Sequence, residues 1–226
     1  GGTITFSGVN NVLNSGVANA LQISGTAGTV NFSGNLDINT TSGTGISVAS
    51  SSANVNFTGS QITVNATGVG AGIGLTGNSG TVAFNNTGNG LDIVTATGTG
   101  FSASGGGTVT VQGSSNTISS PNATALSVNG TTIGSSALLF QRVSSGNNDG
   151  RADPVNGIVL INTGNLGGAD DHRSGHSRFR RNHCKLHWIG HCCDQYTRPE
   201  PGLDEHPEPL KSRNHRHRSA GSEFAF

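Results

Sequence analysis

The sequence predicts an all-β chain: a right-handed parallel β-helix (a β-solenoid) of about six coils over residues 1–168, followed by a non-native, mostly disordered tail over 169–226. Three observations predict it. The first is a phrase that returns at a near-fixed period. It reads Gly2-Thr3-Ile4-Thr5-Phe6-Ser7-Gly8, then Gly28-Thr29-Val30-Asn31-Phe32-Ser33-Gly34, Asn54-Val55-Asn56-Phe57-Thr58-Gly59, Gly80-Thr81-Val82-Ala83-Phe84 and Gly107-Thr108-Val109-Thr110-Val111, with a looser copy at Ala137-Leu138-Leu139-Phe140. Its second apolar residue stands at 6, 32, 57, 84, 111 and 140, so the steps are 26, 25, 27, 27 and 29 residues. A repeat of this size marks a solenoid, in which each unit buries its apolar face only by stacking on its neighbours.

The second observation is the spacing inside each unit. Besides the opening pair there is a second apolar pair, at Leu36/Ile38, Ile62/Val64 and Leu91/Ile93, weakened to Asn116/Ile118. A third pair recurs at Leu21/Ile23, Ile46/Val48, Ile73/Leu75, Phe101/Ala103, Leu126/Val128 and Ile158/Leu160. A spacing of two is that of a strand whose alternate side chains point to one face. The third observation is what fills the gaps: Gly, Asn, Ser and Thr, which is turn chemistry. Three short strands and three turns in 25 to 29 residues make one coil. A β-sandwich explains the strands but not the common phase of all three pairs, and a helical reading fails because Gly and β-branched residues are poor helix formers.

The elements follow in order. Each inward Val, Ile, Leu or Phe contributes roughly 1.5–3 kcal/mol by burial. Phe6, Phe32, Phe57 and Phe84, with Phe140 after a valine at 111, are expected to stack as an aromatic ladder. Pro121 falls in a turn, where its missing N–H does little harm. Residues 144–154 are expected to form a loop protruding from the last coil. With 36 Gly and 11% charged residues the composition also suits a flexible linker, but a linker has no reason to keep its apolar residues in phase.

The tail is of a different character. Residues 1–168 carry only Asp37, Asp92, Arg142, Asp149, Arg151 and Asp153 as charges, whereas 169–226 hold all 8 His and all 3 Cys. Cys184, His187, His191 and Cys192 spell a C-x2-H-x3-H-C candidate for zinc, and Arg173, Arg178, Arg180 and Arg181 invite a nucleic-acid reading. A frameshift accounts for more. Back-translated and read one nucleotide further on, residues 169–197 permit LTITGAGTAGSGGTIANCTGSGIVVTNT, another solenoid turn whose end echoes Gly157-Ile158-Val159-Leu160-Ile161-Asn162-Thr163. On that reading the tail was never selected to fold, and its Pro199, Pro201, Pro207 and Pro209 with scattered charge leave it mostly disordered. No nucleic-acid partner is expected.

Chemistry is sparse in the rest. Asp37 and Asp92 occupy equivalent places, each the middle residue of a second pair, pointing outward and two coils apart at about 10 Å. That separation leaves open a pair of carboxylates acting on a polysaccharide; the plainer reading is two solvated acids. Asn147, Asp149 and Asp153 around Gly150 form a thin echo of a calcium loop, without its first Asp and closing Glu; a plain polar turn is the plainer reading. No Gly-rich stretch carries the GxxxxGK of a phosphate loop, and no cofactor is expected.

The GT-[VI]-x-F-[SN] openings, the Asn/Thr/Ser/Gly-rich turns and the stretch Asn156-Gly157-Ile158-Val159-Leu160-Ile161-Asn162-Thr163-Gly164-Asn165 resemble the passenger regions of bacterial surface proteins, the autotransporter and filamentous-haemagglutinin-like adhesins. The resemblance covers residues 1–168 and implies a secreted or cell-surface rod, a fragment of a larger protein, presenting faces and loops to a glycan or protein partner. With no Trp, no Tyr and only four Asp before residue 169, no catalysis is expected; the alternative is a fragment of a polysaccharide-active enzyme, lyase or glycoside hydrolase, on the same scaffold. No membrane-spanning segment is expected, and unpaired strand edges invite end-to-end self-association.

Overall fold

The computed structural model describes residues 1–147, 149 and 153–164, together with the backbone of 169–171. Among these residues there is no helix. The chain winds through six coils of three strands each. The first coil is β1 (Thr3–Phe6), β2 (Asn10–Ser15) and β3 (Leu21–Ser24); the second is β4 (Thr29–Phe32), β5 (Asn35–Thr40) and β6 (Ile46–Ala49). The third is β7 (Asn54–Phe57), β8 (Gln61–Ala66) and β9 (Ile73–Thr76); the fourth is β10 (Thr81–Asn85), β11 (Gly90–Thr95) and β12 (Phe101–Ser104). The fifth is β13 (Thr108–Gln112), β14 (Thr117–Ser120) and β15 (Leu126–Asn129); the sixth is β16 (Thr132–Phe140), β17 (Arg142–Ser145) and β18 (Ile158–Ile161). Corresponding strands pair in parallel and form three sheets, in which every neighbour is one coil away. The expected parallel β-solenoid of about six turns is what the chain forms.

Stacking in register turns the sequence repeat into columns. Val30, Val55, Val82 and Val109 lie one above another on the inner face of the first sheet, beside Phe32, Phe57, Phe84 and Val111. The third sheet keeps all six of its expected pairs in register, from Leu21/Ile23 to Ile158/Leu160. The second sheet adds a pair that its sequence hid, Asn11/Leu13, and Val143 continues the Ile118 column into the sixth coil. These columns are the core: Val55, Phe57, Ile73, Phe84, Ile93 and Phe101 are all fully buried.

Two expectations need correction. Phe140 does not continue the phenylalanine column. Val109 pairs with Ile133 and Val111 with Leu138, so four residues of β16 stand opposite Thr110 alone. The bulge folds back over the outer face, where the side chain of Gln112 reaches the Ser136 carbonyl and Ala137 takes a φ of 67°. Leu138 therefore fills the column, and Phe140 lies one inward position further along the strand. The ladder is also completed differently. Phe6, Phe32, Phe57 and Phe84 stack at 4.6–4.9 Å between centroids, but Phe84 then meets Phe101 of the third sheet edge-on at 5.9 Å, and Phe101 meets Phe140 at 6.1 Å. The smaller Val111 leaves the room that Phe101 fills. The second correction is local: Ser144 and Ser145 belong to β17, paired with Ser119 and Ser120, so the protruding loop starts at Gly146.

The corners explain much of the glycine. At Gly70 an added Cβ would collide with the Gly43 carbonyl, and at Gly98 with the Gly70 carbonyl, because successive coils meet there backbone on backbone. Beyond the sixth coil, the backbone of β19 (Ala169–Asp171) pairs with Leu138–Phe140 as a seventh strand of the first sheet, three residues past the boundary drawn at 168.

Candidate functional site

Outward side chains form columns just as inward ones do, so each face of the solenoid has a chemistry fixed by one position of the repeat. The first sheet presents Thr29, Asn54, Thr81 and Thr108 in one outer column. The third presents Gln22, Ser47, Gly74, Ser102, Ser127 and Val159. Neither column carries a charge. The second sheet differs. Its middle outer column reads Val12, Asp37, Thr63, Asp92, Thr117 and Arg142. Among side chains described in residues 1–164, every charge lies in this column or in the loop that leaves its last strand, at Asp149 and Asp153. A further column beside it holds Asn14, Asn39 and Asn65.

The hydrogen bonds tie this face together along the solenoid axis. The Asn39 amide donates to Asn14 Oδ1 at 3.1 Å and to Asp37 Oδ1 at 3.2 Å. The Thr117 hydroxyl donates to Asp92 Oδ1 across one coil. Asp37 is exposed and Asp92 half-buried, and Val12 and Val94 expose 57% and 40% of their surface on the same face. Asp37 and Asp92 point outward as expected, with Thr63 between them in the column. Two coil spacings separate them, about 10 Å, slightly beyond the spacing of about 6.5–9.5 Å that inverting glycosidases use. Arg142 stands two coils above Asp92, with Thr117 between. The signal in the sequence that places Arg142 is the run 92, 117, 142, one period apart each time.

The loop shows how the calcium candidates are arranged. The Asn147 backbone N–H donates to Asp153 Oδ1 at 3.1 Å, and its side-chain amide donates to Asp149 Oδ2 at 2.9 Å. The Asp149 N–H returns a bond to Asn147 Oδ1 at 3.3 Å. Two Asn147 nitrogens, the backbone N–H and the side-chain amide, thus each donate to one of the two carboxylates, and the Asp149 N–H closes an Asx-type turn on Asn147. The zinc candidates Cys184, His187, His191 and Cys192 lie outside the described residues, as do Arg173, Arg178, Arg180 and Arg181. Among the described residues no group of three or more His, Cys, Asp or Glu side chains converges.

Inside the second sheet, Asn116 does work the sequence pointed to only as a weakened apolar position. Fully buried, it accepts from the Leu91 N–H at 2.8 Å and donates to the Gln112, Gly113 and Leu139 carbonyls at 3.1, 3.3 and 2.8 Å. It pins the corner below the bulge and lines no external site. Among the described residues no helix is long and apolar enough to cross a membrane, which says nothing of a β-barrel. No family model, no curated protein and no solved structure matches the chain.

Proposed function

We propose that this chain is a structural and adhesive β-solenoid segment of a large secreted or cell-surface bacterial protein, with no catalysis of its own. The solenoid is then the product: a rod that holds outward columns at a fixed spacing and offers them to a glycan or protein partner. The observation that carries this reading is the outer surface. Two faces repeat uncharged side chains from coil to coil, while among the described side chains of the three sheets only the second carries charge, two carboxylates and an arginine, beside an asparagine column and exposed valines. Side chains held along one line suit recognition of an extended partner. Acid–base chemistry instead needs groups converging on one atom.

The test pairs two assays on the 226-residue chain. Binding to glycan and matrix-protein arrays is measured beside release of reducing ends or unsaturated products from polysaccharides. Saturable binding that weakens in Asp37→Asn or Asn39→Ala, without product release, supports the reading. Polysaccharide cleavage lost in Asp37→Asn or Asp92→Asn overturns it in favour of an enzyme.

A further inference from the structure

An asparagine followed by glycine is the asparagine step at which side chain and backbone react most readily with each other, because glycine leaves the next backbone nitrogen uncrowded. Residues 1–164 contain three such steps: Asn89–Gly90, Asn129–Gly130 and Asn156–Gly157. The fold treats them differently. The Gly90 N–H donates to the Ser60 carbonyl at 3.1 Å, and the Gly130 N–H donates to the Ile161 carbonyl at 2.9 Å. Both nitrogens are held in the hydrogen-bond ladder between coils. The Gly157 N–H has no partner among the described residues, although its own carbonyl accepts from the Ala125 and Leu126 N–H groups at 2.9 and 3.3 Å. The equivalent nitrogens of earlier coils, at Gly45, Gly72 and Gly100, are all bonded to the coil above.

We propose that Asn156–Gly157 is a site of spontaneous covalent modification, converting to aspartate and isoaspartate ahead of the other two steps. The Gly157 nitrogen, its proton lost to solvent base, attacks Asn156 Cγ. The new N–Cγ bond closes a five-membered imide, and the Cγ–Nδ2 bond breaks to release ammonia. Water then adds to either imide carbonyl. Opening on one side gives Asp with the original backbone; opening on the other routes the chain through Cβ and Cγ as isoaspartate. Nothing is oxidised or reduced, and water is the only co-reactant. The product carboxylate appears three residues from Asp153, at the end of the loop on the charged side of the rod. The isoaspartate form also inserts one carbon just before the Gly157 carbonyl that holds Ala125 and Leu126.

The test is peptide mapping of the intact 226-residue chain after incubation in warm, mildly alkaline buffer. Conversion is read by mass and by isoaspartate-sensitive chromatography. A parallel sample is incubated unfolded in urea. In the folded chain Asn156 should convert about fivefold faster than Asn89 or Asn129, the ratio set by a backbone hydrogen bond of about 1 kcal/mol. The three rates should draw together in urea, and Gly157→Ala should slow the reaction at 156. The proposal is overturned if Asn89 or Asn129 converts as fast as Asn156 in the folded chain, or if the folded and unfolded chains give the same ratios.

Discussion

Removing a ring from the middle of the phenylalanine ladder tests how the coils support one another. Phe57 is fully buried and stacks on two rings, Phe32 at 4.9 Å and 10° and Phe84 at 4.6 Å and 3°. Truncating such a side chain leaves a cavity that fixed backbone columns on either side cannot close, and costs about 3–5 kcal/mol. Phe6 is the contrast. It is 45% exposed and stacks on Phe32 alone, at 4.7 Å. Half of a burial contribution of roughly 1.5–3 kcal/mol gives about 1 kcal/mol for Phe6→Ala. Urea titration followed by circular dichroism reads the difference. At a slope of about 2 kcal/mol/M, Phe57→Ala should lower the midpoint by about 2 M and Phe6→Ala by about 0.5 M. Equal shifts for the two variants would refute the reasoning, because they would mean that the ladder does not depend on neighbours on both sides.

Four further outcomes follow from the same columns. Gly72→Ala should cost about 1–3 kcal/mol in the same titration, since its Cβ would meet the Ile93 side chain and lie 2.7 Å from the Gly100 carbonyl, although the fifth coil carries Ala125 at that place. Asn116→Ala should cost at least about 2 kcal/mol, because it strands a buried N–H and three carbonyls at once. Ala137→Gly should stabilise by about 0.5–1 kcal/mol, as glycine takes the φ of 67° without the Cβ penalty. Asp37→Asn, on the exposed outer face, should leave stability within about 0.5 kcal/mol by the same measurement.

Where the inward residues were apolar, the fold could be read from the chain. The third sheet shows why: Leu, Ile, Phe and Val recur there in pairs, and spacing of two with a common phase leaves one arrangement. The second sheet was half hidden because three of its inward places are Asn11, Asn116 and Ser145, and a polar residue carries no periodic signal. Asn116 can stand inside only because the corner supplies four hydrogen-bond partners, which are tertiary and invisible to local pattern. The bulge was missed for a related reason. Leu138 and Phe140 share the spacing of every opening pair, so the sequence suggested a normal strand; pairing of Ile133 with Val109 claimed the earlier position and pushed the residues between outward. Asp37 and Asp92 were placed correctly because they sit between apolar neighbours that fix their direction. Arg142 was given no place, because the only inward residue beside it, Val143, did not mark β17 as a strand.

The register of the coils is the central claim, and a disulfide reports it directly. With Cys184, Cys192 and Cys193 replaced by serine, cysteines are introduced at Asn31 and Asn56, which face each other across one coil and already share an amide hydrogen bond at 3.0 Å. Strand neighbours about 4.8 Å apart lie within disulfide reach. The control pair, Asn31→Cys with Asn54→Cys, is displaced by two residues and lies about 8 Å apart, beyond that reach. The account predicts ready oxidation of the 31/56 pair and none of the 31/54 pair, scored by thiol titration and mass. Efficient bridging of 31/54, or equal bridging of both, would contradict it.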